Sequence, residues 1–311
     1  MISACVITKN EANTIERWLV DMQSIADEII VVDTGSTDNT VKIAKASNVK
    51  VYHYKWKNDF AAAKNFAIEQ ASGDWILFLD ADEFFSEETR ENLRNLLSVI
   101  ADDSIEALLC KVINIDIDLQ NKIIDEFPLS RIFRNRQEIR YVGAVHEKIY
   151  NINTKSIHAL DMTNLVKIYH TGYSTSIIES KLKRNLVMLQ AEIVKNGEEP
   201  YYVYLCDCYH GLKDYQKTLE YIHKYFKSGY QIIGSEEKLH WYLIHSMIQL
   251  NMNQNVILQE AEKAVRKFPD NTQFKLYYGE VLYNLKEYEK ALQYLFESVE
   301  KIESKTEQAR F

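Results

Sequence analysis

Short apolar runs alternate with amphipathic stretches over the first third of the chain. Ile2–Thr8, Glu28–Asp33, Val49–Tyr54 and the run beginning at Trp75 are too short and too apolar for surface helices, so they predict strands buried on both faces. Between them, Ala12 to about Ile25, a segment ending at Ala46, Ala61–Ala71 and Ser86 to about Ile100 read as helices. The second of these is opened by the turn Thr34-Gly35-Ser36-Thr37-Asp38. Strand and helix alternating at this spacing predict an α/β unit with a parallel sheet and right-handed crossovers.

The rhythm then changes. Ala107–Ile117, Phe127–Arg134, Ile139–Val145 and Leu165–His170 are strand-like without long helices between them, which predicts mixed or antiparallel pairing. From Ile177 the pattern is helical throughout. Trp241, Ile244, Ile248, Ile257, Ala261, Ala264 and Pro269 match the spacing of a tetratricopeptide repeat. About 34 residues on, Tyr278, Gly279, Leu282, Ala291, Leu295 and Ser298 fill the same slots, and Tyr202, Cys206, Tyr209, Thr218, Ile222 and Tyr225 form a looser earlier copy. The expected organisation is a sheet domain over residues 1–175 and an all-α tetratricopeptide-like repeat domain over residues 176–311. Such repeats bind a peptide, buttress the neighbouring domain or mediate a homodimer, and their spacing does not choose among these.

Charge and cysteine usage narrow the class. A net charge of -8 argues against nucleic acid as a partner, because phosphate binding needs a basic face. Cys5, Cys110, Cys206 and Cys208 lack zinc or disulfide spacing, which points to a reducing, cytoplasmic setting. The first ten residues carry no basic leader and turn polar early, so neither a signal peptide nor a transmembrane segment is expected.

The chemistry gathers where the run Trp75-Ile76-Leu77-Phe78-Leu79 drives into Asp80-Ala81-Asp82-Glu83. On an extended chain Asp80 and Asp82 point to one side, and two anions so close are relieved by a divalent cation. Ligands of open α/β sheets bind beyond the carboxyl ends of the strands, where this pair falls. Aspartates at a strand end also form turns and caps, and Ser86, Thr89 and Arg90 read as the start of the next helix. His146-Glu147 and His170 fall at loop positions.

These residues, taken in order, resemble the family 2 glycosyltransferases of the GT-A fold. The resemblance rests on Val6-Ile7-Thr8-Lys9-Asn10-Glu11, Ile30-Val31-Val32-Asp33-Thr34-Gly35-Ser36-Thr37-Asp38-Asn39-Thr40 and Asp80-Ala81-Asp82. Trp56-Lys57-Asn58-Asp59-Phe60-Ala61-Ala62-Ala63-Lys64-Asn65, Gly143-Ala144-Val145-His146-Glu147 and Tyr169-His170-Thr171-Gly172-Tyr173 narrow it to one branch. That branch holds bacterial core-oligosaccharide glucosyltransferases and sublancin-type, bacteriocin-modifying glycosyltransferases, the latter also with a helical repeat region. The resemblance covers most of residues 1–175; the repeats agree in kind only.

The resemblance implies an inverting, metal-dependent transfer from a nucleotide-sugar donor, UDP-glucose first, to a peptide or saccharide acceptor. It implies that Asp82 ligates Mn²⁺ or Mg²⁺ bridging the two phosphates, while Asp80, with Ala81, lies at the ribose or reaches the metal through water. By the same resemblance Asp33 accepts from the base, Thr8, Asn10 and Glu11 line the nucleotide pocket, and Lys64 offers a positive charge beside it. Glu147 is the candidate general base, with His146 its neighbour in the acceptor pocket. His170 is a further metal ligand, a diphosphate contact or a core histidine, and Trp56 and Tyr173 stack on sugar or pack in the core. A sugar nucleotidyltransferase would want a glycine-rich phosphate loop after the first strand, and no glycine precedes Gly35. The alternative from another class is a helical-repeat adaptor whose transferase-like domain is inactive. A peptide acceptor suits the repeats, whereas a lipid-linked saccharide would want a basic or amphipathic stretch, for which Lys181, Lys183 and Arg184 are the small candidate run.

Overall fold

The structure, a computed structural model, describes residues 1–232 and 234–308, with side chains described as far as residue 299. The chain forms two compact units, Met1–Ile178 and Glu179–Phe311.

The first unit opens with β1 (Ile2–Thr8), α1 (Ile15–Ile25), β2 (Glu28–Asp33), α2 (Thr40–Ala46), β3 (Lys50–His53), α3 (Phe60–Glu69) and β4 (Trp75–Phe78). It continues through β5 (Glu83–Phe85), α4 (Glu87–Val99), β6 (Ala107–Asp116), β7 (Lys122–Arg134), β8 (Ile139–Val142), β9 (Lys148–Asn151), β10 (Ala159–Asp161) and β11 (Lys167–His170). The main sheet runs β3-β2-β1-β4-β7-β6-β11-β5, with β10 beside β6, while β8 and β9 pair separately. Strands β3, β2, β1 and β4 are mutually parallel; β7 is antiparallel to both β4 and β6. The α/β architecture, a mixed sheet followed by helices, is thus the one the hydrophobic pattern predicts.

Strand alternation sorts the core into two layers. Ala4, Val6 and Leu77 face α1 and α4, where Trp18, Leu19, Met22, Leu93 and Leu97 are buried. Cys5, Ile30, Val32, Ile76 and Phe78 face the other way, onto Ala61, Ala67 and Ile68 of α3. Capping sets the helix starts: the Asp59 carboxylate accepts from the Ala62 N–H at 2.8 Å, and Ser86 Oγ accepts from the Thr89 N–H at 3.2 Å.

One geometric expectation is corrected. Strand β4 ends at Phe78, and Asp80-Ala81-Asp82-Glu83 is a turn closed by the Glu83 N–H donating to the Asp80 carbonyl at 2.9 Å. The two aspartates are therefore brought near one another by turn geometry and not by the period of an extended strand. The apolar pattern also misses β5, β9 and β10, and β7 starts earlier than the pattern shows because residues 122–128 are exposed.

The second unit contains α5 (Ile178–Asn196), α6 (Tyr202–Gly211), α7 (Tyr215–Ser228), α8 (Glu236–Gln249), α9 (Gln254–Lys267), α10 (Thr272–Asn284) and α11 (Tyr288–Gln308). Helices α6 and α7, α8 and α9, and α10 and α11 pack as pairs around Ile244, Ile257, Ala261, Ala264, Leu282 and Ala291. Small residues are needed where the helices cross: a Cβ at Gly279 would lie 2.8 Å from Cγ of Leu295.

Candidate active site

The loops after β1 and β2 are stitched together at the carboxyl edge of the sheet. Asn10, at φ 59°, accepts the Thr37 N–H on Oδ1 at 2.8 Å and donates its own N–H to Ser36 Oγ at 2.9 Å. The Glu11 N–H donates to Thr40 Oγ1 at 2.8 Å, and Glu11 Oε2 accepts from Thr14 Oγ1. Asp33 is buried and accepts the Gly35 and Ser36 N–H groups at 3.1 and 3.2 Å, a turn that Gly35 makes at φ +113°. Thr8 is buried beside it; its carbonyl accepts from Thr34, and its Oγ1 is buried without a hydrogen-bond partner among the described residues. An orphaned hydroxyl at this edge is the kind of group a bound polar ligand satisfies.

Below these loops runs a chain of alternating charges. Lys64 lies on the inward stripe of α3 with Ala61, Ala67 and Ile68, which is why its side chain is only 2% exposed. Its Nζ sits 2.9 Å from Asp80 Oδ1 and 2.7 Å from Glu147 Oε1. The other Asp80 oxygen, Oδ2, accepts from Arg131 Nη2 at 2.8 Å. Arg131, on β7 and 11% exposed, also donates through Nη2 and Nε to Glu83 Oε1 at 2.6 and 3.1 Å. Glu83 is fully enclosed, and its Oε2 accepts the Asp80 N–H at 2.9 Å.

The energetics follow from this enclosure. Burial alone would raise the Asp80 pKa, but Lys64 and Arg131 more than reverse it and hold the carboxyl well below the ordinary range. For Lys64 burial works against the charge, yet Asp80 and Glu147 keep the ammonium well above its usual value. Arg131 is raised in the same way by Glu83 and Asp80 against burial. Tyr141, whose ring centroid is 5.1 Å from Lys64 Nζ, is pushed up to about 12 by burial, with Lys64 and Arg131 opposing.

A second group faces the same turn. His170 Nε2 lies 3.5 Å from Asp82 Oδ2, and its Nδ1 is 2.8 Å from Asn114 Oδ1. Asn114 Nδ2 is engaged by Asp125, so its oxygen accepts; the hydrogen-bond network therefore puts a proton on His170 Nδ1 and turns Nε2 toward the Asp82 carboxylate. The Thr171 N–H and Oγ1 both donate to the Asp82 carbonyl at 3.1 Å.

The Glu147 loop rests on α3. The Phe60 N–H donates to the Ala144 carbonyl at 2.9 Å, and Gly143 (φ +102°) and His146 (φ 55°) turn the chain between β8 and β9. The structure thus brings Lys64, Asp80 and Glu147 together, sets Asp82 against His170, and places Thr8, Asn10, Glu11 and Asp33 in the stitched loops. It does not place every candidate as the sequence suggests. Lys64 is turned inward onto the Asp80 and Glu147 carboxylates, because its helix face packs on the sheet. The Ala81 methyl is buried in the apolar cluster under α1 and α4, so a ligand could meet only its backbone. Trp56 donates Nε1–H to Asn58 and packs on Phe60, while Tyr173 stands edge-on to His170.

The sequence does not single out Arg131 or Asn114, and it shows Glu83 only as the end of the acidic run. A signal existed for the first: Arg131 directly precedes the apolar pair Ile132-Phe133 within a strand-like segment, where a buried strand would carry an aliphatic side chain.

Residues 3–150 match the family described as Glycosyl transferase family 2. A TPR repeat-containing protein of Synechococcus elongatus is 31% identical over 287 residues, covering 86% of this chain and 68% of its own. Glycosyltransferase SunS of Bacillus phage SPbeta is 32% identical over 209 residues, 65% of this chain, and the chain spans only 47% of that protein. Among solved structures, S. aureus TarS 1-349 superposes over 100% of this chain and 92% of its own at 16% identity with a TM-score of 0.42. With a matched family domain spanning β1 to β9 and a relative of which it covers more than two thirds, the chain belongs to glycosyltransferase family 2.

Proposed function

We propose that residues 1–175 form a metal-dependent, inverting glycosyltransferase domain that takes a nucleotide-sugar donor, UDP-glucose first, and serves a peptide or saccharide acceptor. The observation that carries this reading is the convergence of three devices at one sheet edge: the stitched loops with the orphaned Thr8 hydroxyl, the Asp82–His170 pair, and Glu147 beside Lys64.

The charges fit a divalent cation. Four carboxylates, Asp80, Asp82, Glu83 and Glu147, stand against two permanent cations, Lys64 and Arg131. Both Asp80 oxygens are taken by those cations, which leaves Asp82 and His170 as the side chains to hold Mn²⁺ or Mg²⁺. Among the described residues no three His, Cys, Asp or Glu side chains form a ready ligand set, so donor phosphates and water would complete the shell. A mixed oxygen and imidazole pair suits Mn²⁺ better than Mg²⁺. When bound, the ion supplies Lewis-acid neutralisation of the departing diphosphate.

The chain's own residues do the rest. Asp33 and the Asn10 loop receive the nucleoside, and Asn114 holds His170 Nδ1 so that Nε2 faces Asp82. Glu147 takes the proton as the acceptor atom bonds to the anomeric carbon from the face opposite the diphosphate, whose bond to that carbon breaks. Among the described residues no helix is long and apolar enough to cross a membrane.

The test is release of nucleoside diphosphate from a panel of UDP- and GDP-sugars, with Mn²⁺ or with chelator, for wild type and Asp82→Ala. Metal-dependent release from one donor, reduced by a hundredfold or more in a folded variant, is expected. Unchanged release in Asp82→Ala would remove Asp82 from the mechanism, and neither binding nor release of any donor would favour the adaptor role.

A further inference from the structure

Helix α3 grips the Glu147 loop at three places. Asn65 exchanges two hydrogen bonds with the Tyr141 backbone, Nδ2 to the carbonyl and Oδ1 from the N–H, both at 2.9 Å. The Phe60 N–H holds the Ala144 carbonyl at 2.9 Å, and one turn along the helix Lys64 Nζ holds Glu147 Oε1 at 2.7 Å. Lys64 is itself fixed from the other side. Asp80 takes one of its hydrogens, Arg131 clamps the second Asp80 oxygen, and Glu83 holds both Arg131 and the Asp80 N–H. Phe78 and Tyr141 close around the ammonium, their ring centroids 5.2 and 5.1 Å away. A bridge so enclosed is unsuited to reaching a nucleotide and well suited to setting a distance.

We infer that Lys64 is a positioning residue: with Asn65 it seats the 141–147 loop on α3 and presents the Glu147 carboxylate at a fixed place relative to the Asp80-Ala81-Asp82 turn. This inference rests on the assignment of Glu147 as base. Donor and acceptor ends of the reaction are then tied by one side chain, and Lys64 works through Glu147 instead of on the nucleotide.

The experiment is a mutant cycle in the full chain, read by transfer kinetics with the donor found in the panel and by calorimetric binding of uridine diphosphate with Mn²⁺. Glu147→Gln is expected to lower kcat by about 100-fold or more, the usual worth of a positioned base. Lys64→Met is expected to lower kcat by at least about tenfold, and the double variant to be no slower than Glu147→Gln alone, because residues acting as one unit are not additive. Affinity for uridine diphosphate stays within about threefold in all three. Losses that multiply in the double variant would overturn the inference, since Lys64 would then act independently of Glu147. So would a Lys64→Met enzyme at the wild-type rate, or one whose uridine diphosphate affinity falls tenfold. Glu147→Gln at the wild-type rate would instead sink the base assignment itself. Should Lys64→Met fail to fold, Asn65→Ala loosens the same loop without touching a charge and is entered into the same cycle with the same expectation.

Discussion

Replacing Arg131 by methionine isolates the cost of the buried charge chain. Glu83 is fully enclosed, and Arg131 supplies both hydrogen bonds to its Oε1. Breaking a buried pair by removing one partner leaves an uncompensated charge and costs about 3–5 kcal/mol. Glu83 Oε2 keeps the Asp80 N–H, and Asp80, about a third exposed, keeps Lys64, so the lower end applies, about 3 kcal/mol. For a unit of this size that corresponds to a fall in Tm of roughly 6–12 °C. Urea and thermal unfolding followed by far-UV circular dichroism measure it. The double variant Glu83→Gln, Arg131→Met should recover most of the loss, because neutral groups replacing both partners leave no unpaired buried charge, Asp80 keeping Lys64. A single-variant loss below about 1 kcal/mol, or a double variant as unstable as the sum of its parts, would refute the view that Arg131 exists to neutralise Glu83 and Asp80.

Two further outcomes are specific to this structure. Asn114→Ala removes the acceptor that fixes the His170 tautomer and should raise the Mn²⁺ concentration for half-maximal turnover by about 10- to 100-fold; an unchanged titration would release His170 from the metal site. In the helical unit His210 is 2.9 Å from His245 and is pushed from 6.5 down to about 4, by burial first and His245 second. A histidine neutral when folded but protonated when unfolded contributes its full stability above its unfolded pKa and loses it as pH falls from about 6.5 towards about 4. The melting temperature of the wild type should therefore drop between about pH 7 and about pH 5 more steeply than that of His210→Gln; parallel curves would refute the linkage.

Much of the first unit is legible in the sequence because its central strands are buried on both faces. Runs such as Ile29-Ile30-Val31-Val32 have no other economical reading, and the repeat slots around Ala261 and Gly279 are legible because helices can cross closely only at small residues. Strand β5 was not, since three residues after an acidic turn carry no period. The first half of β7 was not, since residues 122–128 are exposed and no burial pattern marks them. The site divides along the same line. Asp80, Asp82 and Glu147 are legible as chemical types at loop positions, and His170, expected in a loop, closes strand β11; which cation meets which carboxylate is a tertiary fact. Lys64 pairs with residues on the β4 turn and on the loop before β9, and Arg131 with Glu83 across the sheet, separations at which local pattern says nothing.

The two aspartates, alike in sequence, are made different by what surrounds them. Asp80 has each oxygen held by a separate cation, so it cannot swing toward an incoming ion without breaking a buried pair, and burial has already been overcome in favour of its charged form. Asp82 meets instead the Nε2 edge of an imidazole whose other nitrogen is held by Asn114. An enclosed ionic chain is a poor way to gain stability, because desolvation consumes most of the attraction. Its value lies in direction: it fixes both oxygens of Asp80, and through Lys64 it ties the Glu147 carboxylate to the same turn. A transferase must hold a departing anion and an arriving nucleophile at one carbon, and an error of an ångström at either end costs rate. If Glu147 is the base, as proposed, the buried cations reduce that error by tying its carboxylate to the Asp80 turn.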